Sequence, residues 1–185
     1  AFLSQAYHHV MHTVPLLMAV GSRLGEEHEW LCEAVAEYIE EELGHQEWIL
    51  NDIAACGFDK EAVRNSRPAF ETELMVSYAY DTVQRINPVG FFGMVHVLEG
   101  TSISVADQAA DIIRATLNLP KKAFSYLYSH GSLDIEHVKF FESLMNRIED
   151  PDEQAQIIHS AKAFYRLYGD IFRSLDSGRQ APLAA

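Results

Sequence analysis

Cysteine is scarce in this sequence: Cys32 and Cys56 are the only two in 185 residues. A framework of disulfides is therefore excluded as the source of stability. Cations are few as well, with 14 Lys and Arg against 27 Asp and Glu and a net charge of −13 with His neutral. Nucleic-acid binding needs clustered Lys and Arg to meet phosphates, so that class is excluded. An anionic membrane surface is disfavoured on the same ground. No run of 18 uncharged apolar residues occurs, so no membrane-spanning helix is expected. The first ten residues lack the basic start of a signal peptide. Together with the low cysteine content this makes a cytoplasmic protein the expectation. The chain does not open on Met, which leaves room for processing or for residues ahead of Ala1. Proline (6) and glycine (10) are sparse and fall mostly between periodic stretches.

Apolar residues are plentiful, at 48% with 11% aromatic, enough to bury one substantial core. The spacing predicts helices nearly throughout and no strand. Leu3, Tyr7, Val10, Val14 and Leu17 give a helix over 2–22, with Pro15 as a candidate kink. A long helix over 26–56 begins at Glu26 and Glu27 and ends at Cys56-Gly57. On that helix the two cysteines stand ~36 Å apart, too far for a disulfide. A turn region covers 58–68. Further helices run over 69–86, 88–117 (bent near Gly100), 120–147 and 150–175. The expectation is an all-α bundle with short loops. It forms a single domain over 1–176, followed by a disordered tail at 177–185.

Three polar elements stand out on these helices. In His130-Gly131-Ser132-Leu133-Asp134-Ile135-Glu136-His137, the residues His130, Asp134 and His137 are spaced i, i+4, i+7 and share one stripe. Glu42 and His45, three apart, share a face of the expected 26–56 helix. Glu99 stands alone in the apolar run Val95-His96-Val97-Leu98-Glu99. A buried carboxylate is costly without a metal or a partner. Three imidazoles and three carboxylates on three helices suit iron or manganese better than a thiolate-rich zinc site. Glu41 competes with Glu42 for the face of His45. His96 competes as a ligand, with a role beside the pocket as the alternative. Tyr7, His9, His12, Phe92 and His96 are candidates for a substrate pocket, with plain core packing or solvation as the bland reading.

The order Glu-x-x-His, Val-Leu-Glu-Gly and His-x3-Asp-x2-His resembles the heme-oxygenase-like di-iron oxidases and oxygenases. These iron-containing redox enzymes lie near the thiaminase II and pyrroloquinoline-quinone synthase branch. The resemblance covers about residues 5–175 and implies a heme-oxygenase-like bundle of six to seven helices and a homodimer. It carries over His45, Glu99, His130, Asp134 and His137 as ligands, with Glu42 as first carboxylate and Glu41 or Glu37 as fallbacks. It implies two Fe(II)/Fe(III) ions per chain, O2 as co-substrate, and electrons from a donor protein or from the substrate. The implied reaction is oxidative C–C cleavage, desaturation or N-oxygenation of a small amino-acid-like or fatty-acid-like molecule. Two alternatives stand beside it. One is a metal-independent thiaminase II-like or small-molecule-binding regulatory protein on the same fold. The other is a heme-degrading oxygenase using His9 or His12. The thiaminase nucleophile has no counterpart here, because both cysteines fall on another segment.

Overall fold

The computed structural model describes residues 1–176, less the side chains of residues 103–104, 130–138 and 176. The tail at 177–185, expected to be disordered, lies outside the described residues. Nine α-helices are present among the described residues, where six to seven were expected. They are α1 (Phe2–Val10), α2 (Thr13–Gly21), α3 (Glu29–Glu42), α4 (His45–Ala55), α5 (Lys60–Arg64), α6 (Phe70–Asp81), α7 (Phe91–Leu117), α8 (Ser125–Met145) and α9 (Pro151–Asp176). No strand occurs among the described residues.

The extra helices come from breaks inside two expected ones. The first helix parts into α1 and α2 at Met11 and His12, and Pro15 is the cause. Proline has no N–H to give the carbonyl four residues back, and its ring crowds that carbonyl. Here that carbonyl belongs to Met11, and His12 turns to a shorter bond with His9 O at 3.1 Å. The expected 26–56 helix parts into α3 and α4 at Leu43-Gly44. Leu43 is extended (φ −62°, ψ 119°), and Gly44 takes φ 91°, a left-handed conformation that costs glycine little. The straight-helix separation of Cys32 and Cys56 therefore does not apply, although both thiols are free. The expected turn region contains the short helix α5, capped by Asp59, whose carboxylate accepts from Glu61 N and Ala62 N.

Other boundaries follow local chemistry. A π-helical turn, Thr82–Ile86, closes α6 before Asn87-Pro88. Asn118, at φ 51°, ends α7 two residues ahead of Pro120. Asp150 accepts from Asp152 N at 2.7 Å and so opens α9 at Pro151. The halves Pro88–Ser102 and Val105–Leu117 meet at a 48° bend. Just before it, the Ser102 hydroxyl donates to Leu98 O at 2.9 Å, a bond that bends helices.

The main core joins α2, α3, α6, α7 and α9 around Leu17, Leu31, Met75, Phe91, Met94 and Phe164. A second cluster packs Tyr7 of α1 and Ile49, Leu50 and Ile53 of α4 with Tyr126 of α8. Among the described residues no single helix is long and apolar enough to cross a membrane.

Candidate metal centre

Glu42 is the last residue of α3 and His45 the first of α4. The single helix face expected for them does not exist, yet they meet. His45 Nδ1 and Glu42 Oε2 are 3.1 Å apart, with side chains 7% and 12% exposed. A carboxylate oxygen of this pair accepts, so Nδ1 is the donor and Nε2 is the ring nitrogen that a metal would take. The turn through Gly44 makes this approach, and the Trp48 ring lies 4.3 Å from the His45 ring, centroid to centroid.

Glu99 reaches the same region from α7 and is 9% exposed. Two cavities share Glu99 and Tyr38 as walls. The larger is lined by Glu42, His9 and Tyr126 as well as by Phe91, Met94 and Leu98. The smaller is lined by Glu41, Phe92, Phe140 and Phe141 among others. The competing carboxylates thus fall on different sides of Tyr38: Glu42 faces the larger cavity and Glu41 the smaller. Glu37 is exposed and lines neither.

His130, Asp134 and His137 belong to α8, and their side chains lie outside the described residues. Among the described residues alone, no three His, Cys, Asp or Glu side chains form a metal-holding group. The donors that are described still fit iron: carboxylate and imidazole, one carboxylate nine-tenths buried, on the wall of an apolar cavity.

The pocket candidates separate. His9 lines the larger cavity, its ring edge-on to Tyr168 at 5.9 Å. Phe92 lines the smaller one. Tyr7 packs in the α1–α4 cluster and lines neither. His12 Nδ1 lies 3.1 Å from the Tyr80 hydroxyl, also away from both linings. His96 is exposed and stacks on Phe141 at 6.1 Å. Neither cysteine lines either cavity, and burial pushes the Cys56 thiol up, followed by the nearby Asp52 carboxylate.

Three tyrosines of the walls went unnoticed in the sequence. Tyr38 sits one helical turn before Glu42, a spacing that could have exposed it. Tyr126 and Tyr168 carry no such signal, because only the packing of α8 and α9 brings them in. Burial holds the Tyr168 phenol far above its usual range, so it remains a hydroxyl donor.

Known proteins agree with this architecture. A family model described as "Iron-containing redox enzyme" matches residues 1–169. No curated protein matches the sequence. A domain of unknown function with a heme oxygenase-like fold from Shewanella denitrificans is 22% identical, with a TM-score of 0.82. That match covers 100% of this chain and 82% of the other. A TenA homolog from Pseudomonas syringae pv. tomato is 16% identical with a TM-score of 0.75, over 95% of this chain and 77% of that one. At these identities the likeness is one of fold: all-α and heme oxygenase-like.

Proposed function

The chain belongs to the family of iron-containing redox enzymes, and on that premise we propose that it is a non-heme di-iron, O2-dependent oxidoreductase acting on a small molecule. The observation that carries this reading is the convergence of Glu42 and Glu99, from α3 and α7, on one cavity, with His45 hydrogen-bonded to Glu42. Glu42, His45, Glu99, His130, Asp134 and His137 would hold two irons, with Glu41 as the alternative carboxylate. Bound iron supplies the one-electron chemistry and O2 activation that side chains lack.

The chain's own residues do the rest. Glu42 fixes the ring of His45 in one tautomer. Phe91, Met94, Val95 and Leu98 make the larger cavity's wall apolar, and Tyr168 adds a phenol that stays protonated as a hydrogen-bond donor. Among the described residues no Lys or Arg lines either cavity. The substrate class is a small amino-acid-like or fatty-acid-like molecule, and the reaction class oxidative C–C cleavage, desaturation or N-oxygenation. The family resemblance supports a homodimer, and the scarcity of cysteine a cytoplasmic setting.

The test is an anaerobic Fe(II) titration of metal-stripped protein, followed by mixing with O2. Uptake near two irons per chain and iron-dependent O2 consumption, both lost in Glu99→Ala, are the expected result. Failure to take up iron would sink the reading.

A further inference from the structure

Helix α8 is capped from another helix. The Ser125 N–H donates to Asp52 Oδ1 at 3.1 Å, and the Ser125 hydroxyl donates to the same oxygen at 2.5 Å. The Tyr126 N–H donates to Asp52 Oδ2 at 2.9 Å. The first N–H groups of a helix have no partner within it, and a polar residue just ahead usually supplies one. Here that residue is Phe124, which has no polar side chain, and its own cap makes no side-chain bond. The acceptor comes instead from 73 residues away in sequence, on a side chain with 0% exposure.

Asp52 lies on α4, seven residues after His45, so the two share a stripe about two turns apart. One rigid helix thus carries His45 beside Glu42 at its start and, near its end, the carboxylate that seats α8. We propose that Asp52 is a positioning residue of the metal centre. It sets the register of α8 on α4, and through it the placement of the segment His130–His137 relative to His45. It also holds Tyr126, whose amide it accepts from, on the wall of the larger cavity. The proposal rests on the metal reading above. A site shared by α4 and α8 needs such a fixed joint, because ligands must be held to about 0.5 Å. His130 begins only five residues, or ~7.5 Å, beyond Ser125. Gly131, directly after His130, weakens the helix at the start of that segment.

Two variants separate positioning from bulk stability. Asp52→Asn keeps the shape but turns one acceptor oxygen into an amide donor facing an N–H. Ser125→Ala removes only the hydroxyl bond. Each is titrated anaerobically with Fe(II) against a competing chelator, and amide hydrogen exchange is followed along the chain. Asp52→Asn is expected to weaken one of the two iron equivalents by about tenfold or more, the loss typical of residues that orient metal ligands. The other equivalent stays within about twofold, and Ser125→Ala shifts the same equivalent less. Amides of 125–138 exchange faster in Asp52→Asn, while those of α9 keep their protection. Wild-type uptake in Asp52→Asn overturns this proposal alone. So does equal weakening of both equivalents with faster exchange in α9, which makes Asp52 a general stabilising residue. A wild type that binds no iron fails the metal reading itself and takes this proposal with it.

Discussion

A Cβ on Gly93 would stand 2.5 Å from the backbone nitrogen of Ala161, 2.7 Å from Ser160 Cβ and 2.8 Å from Ile157 O. The backbones of α7 and α9 meet there, and nothing but hydrogen fits between them. Glu99 follows on the same helix, six residues later, so this contact also fixes where α7 presents its carboxylate.

Gly93→Ala is therefore expected to lower stability by about 1–3 kcal/mol, the usual range for overpacking, because the facing atoms are mostly main chain. Gly100 is the control. It sits on the same helix, and among the described residues nothing lies within 4 Å of its Cβ position. Gly100→Ala is expected to leave stability unchanged or raise it by up to ~1 kcal/mol through helix propensity. Urea unfolding of both variants decides the matter. A Gly93→Ala protein as stable as wild type would contradict the close approach of α7 to α9.

The carboxylate beside His45 gives a second prediction. Glu42 is hydrogen-bonded to His45 and lines the larger cavity, Glu41 lines the smaller, and Glu37 is exposed. Glu42→Gln is expected to weaken iron uptake most, by about tenfold or more. Glu37→Gln is expected to leave it unchanged. Chelator competition on the three Gln variants gives the order. A loss in Glu41→Gln larger than in Glu42→Gln would move the first carboxylate to the other side of Tyr38.

Much of this arrangement was legible in the sequence, and the misses have physical causes. The Asp150-Pro151 start, the Asn87-Pro88 stop and the bend near Gly100 are local signals, and they stand where the residues place them. The pairing of Glu42 with His45 was anticipated from helical spacing but arises from a turn. An isolated glycine inside an apolar rhythm reads as a tolerated defect, and only its φ of 91° reveals Gly44 as a break. Pro15 was visible as a kink, but its effect falls four residues earlier, on the carbonyl it cannot serve. Asp52 gave no signal at all, since its partners lie on a helix distant in sequence. His12 and His96 resemble pocket residues by type. Neither lines a cavity: His12 lies against Tyr80, and His96 stacks on the outer side of Phe141, itself a wall of the smaller cavity.

His8 on α1 and His12 at the break before α2 carry a pH dependence that follows from their packing. His8 Nε2 lies 2.9 Å from Ser66 Oγ, and His12 Nδ1 lies 3.1 Å from the Tyr80 hydroxyl. Burial lowers the pKa of both rings from the ordinary 6.5, and the nearby His12 lowers that of His8 further. The unfolded chain takes up protons near pH 6.5, while the folded chain resists until lower pH. Between those points the unfolded state binds more protons, so stability falls as pH drops. Above pH 6.5 the two rings contribute no slope. Most carboxylates titrate below about pH 5, so the interval from 6.5 to 5 isolates the histidines. Stability measured by urea unfolding is expected to decline across that interval in the wild type. It should decline less in His8→Gln and least in the His8→Gln, His12→Gln double variant. Gln keeps a polar group near Ser66 and Tyr80 but cannot gain a charge. A double variant with the wild-type slope would assign the acid sensitivity to other groups and leave His8 and His12 without a part in it.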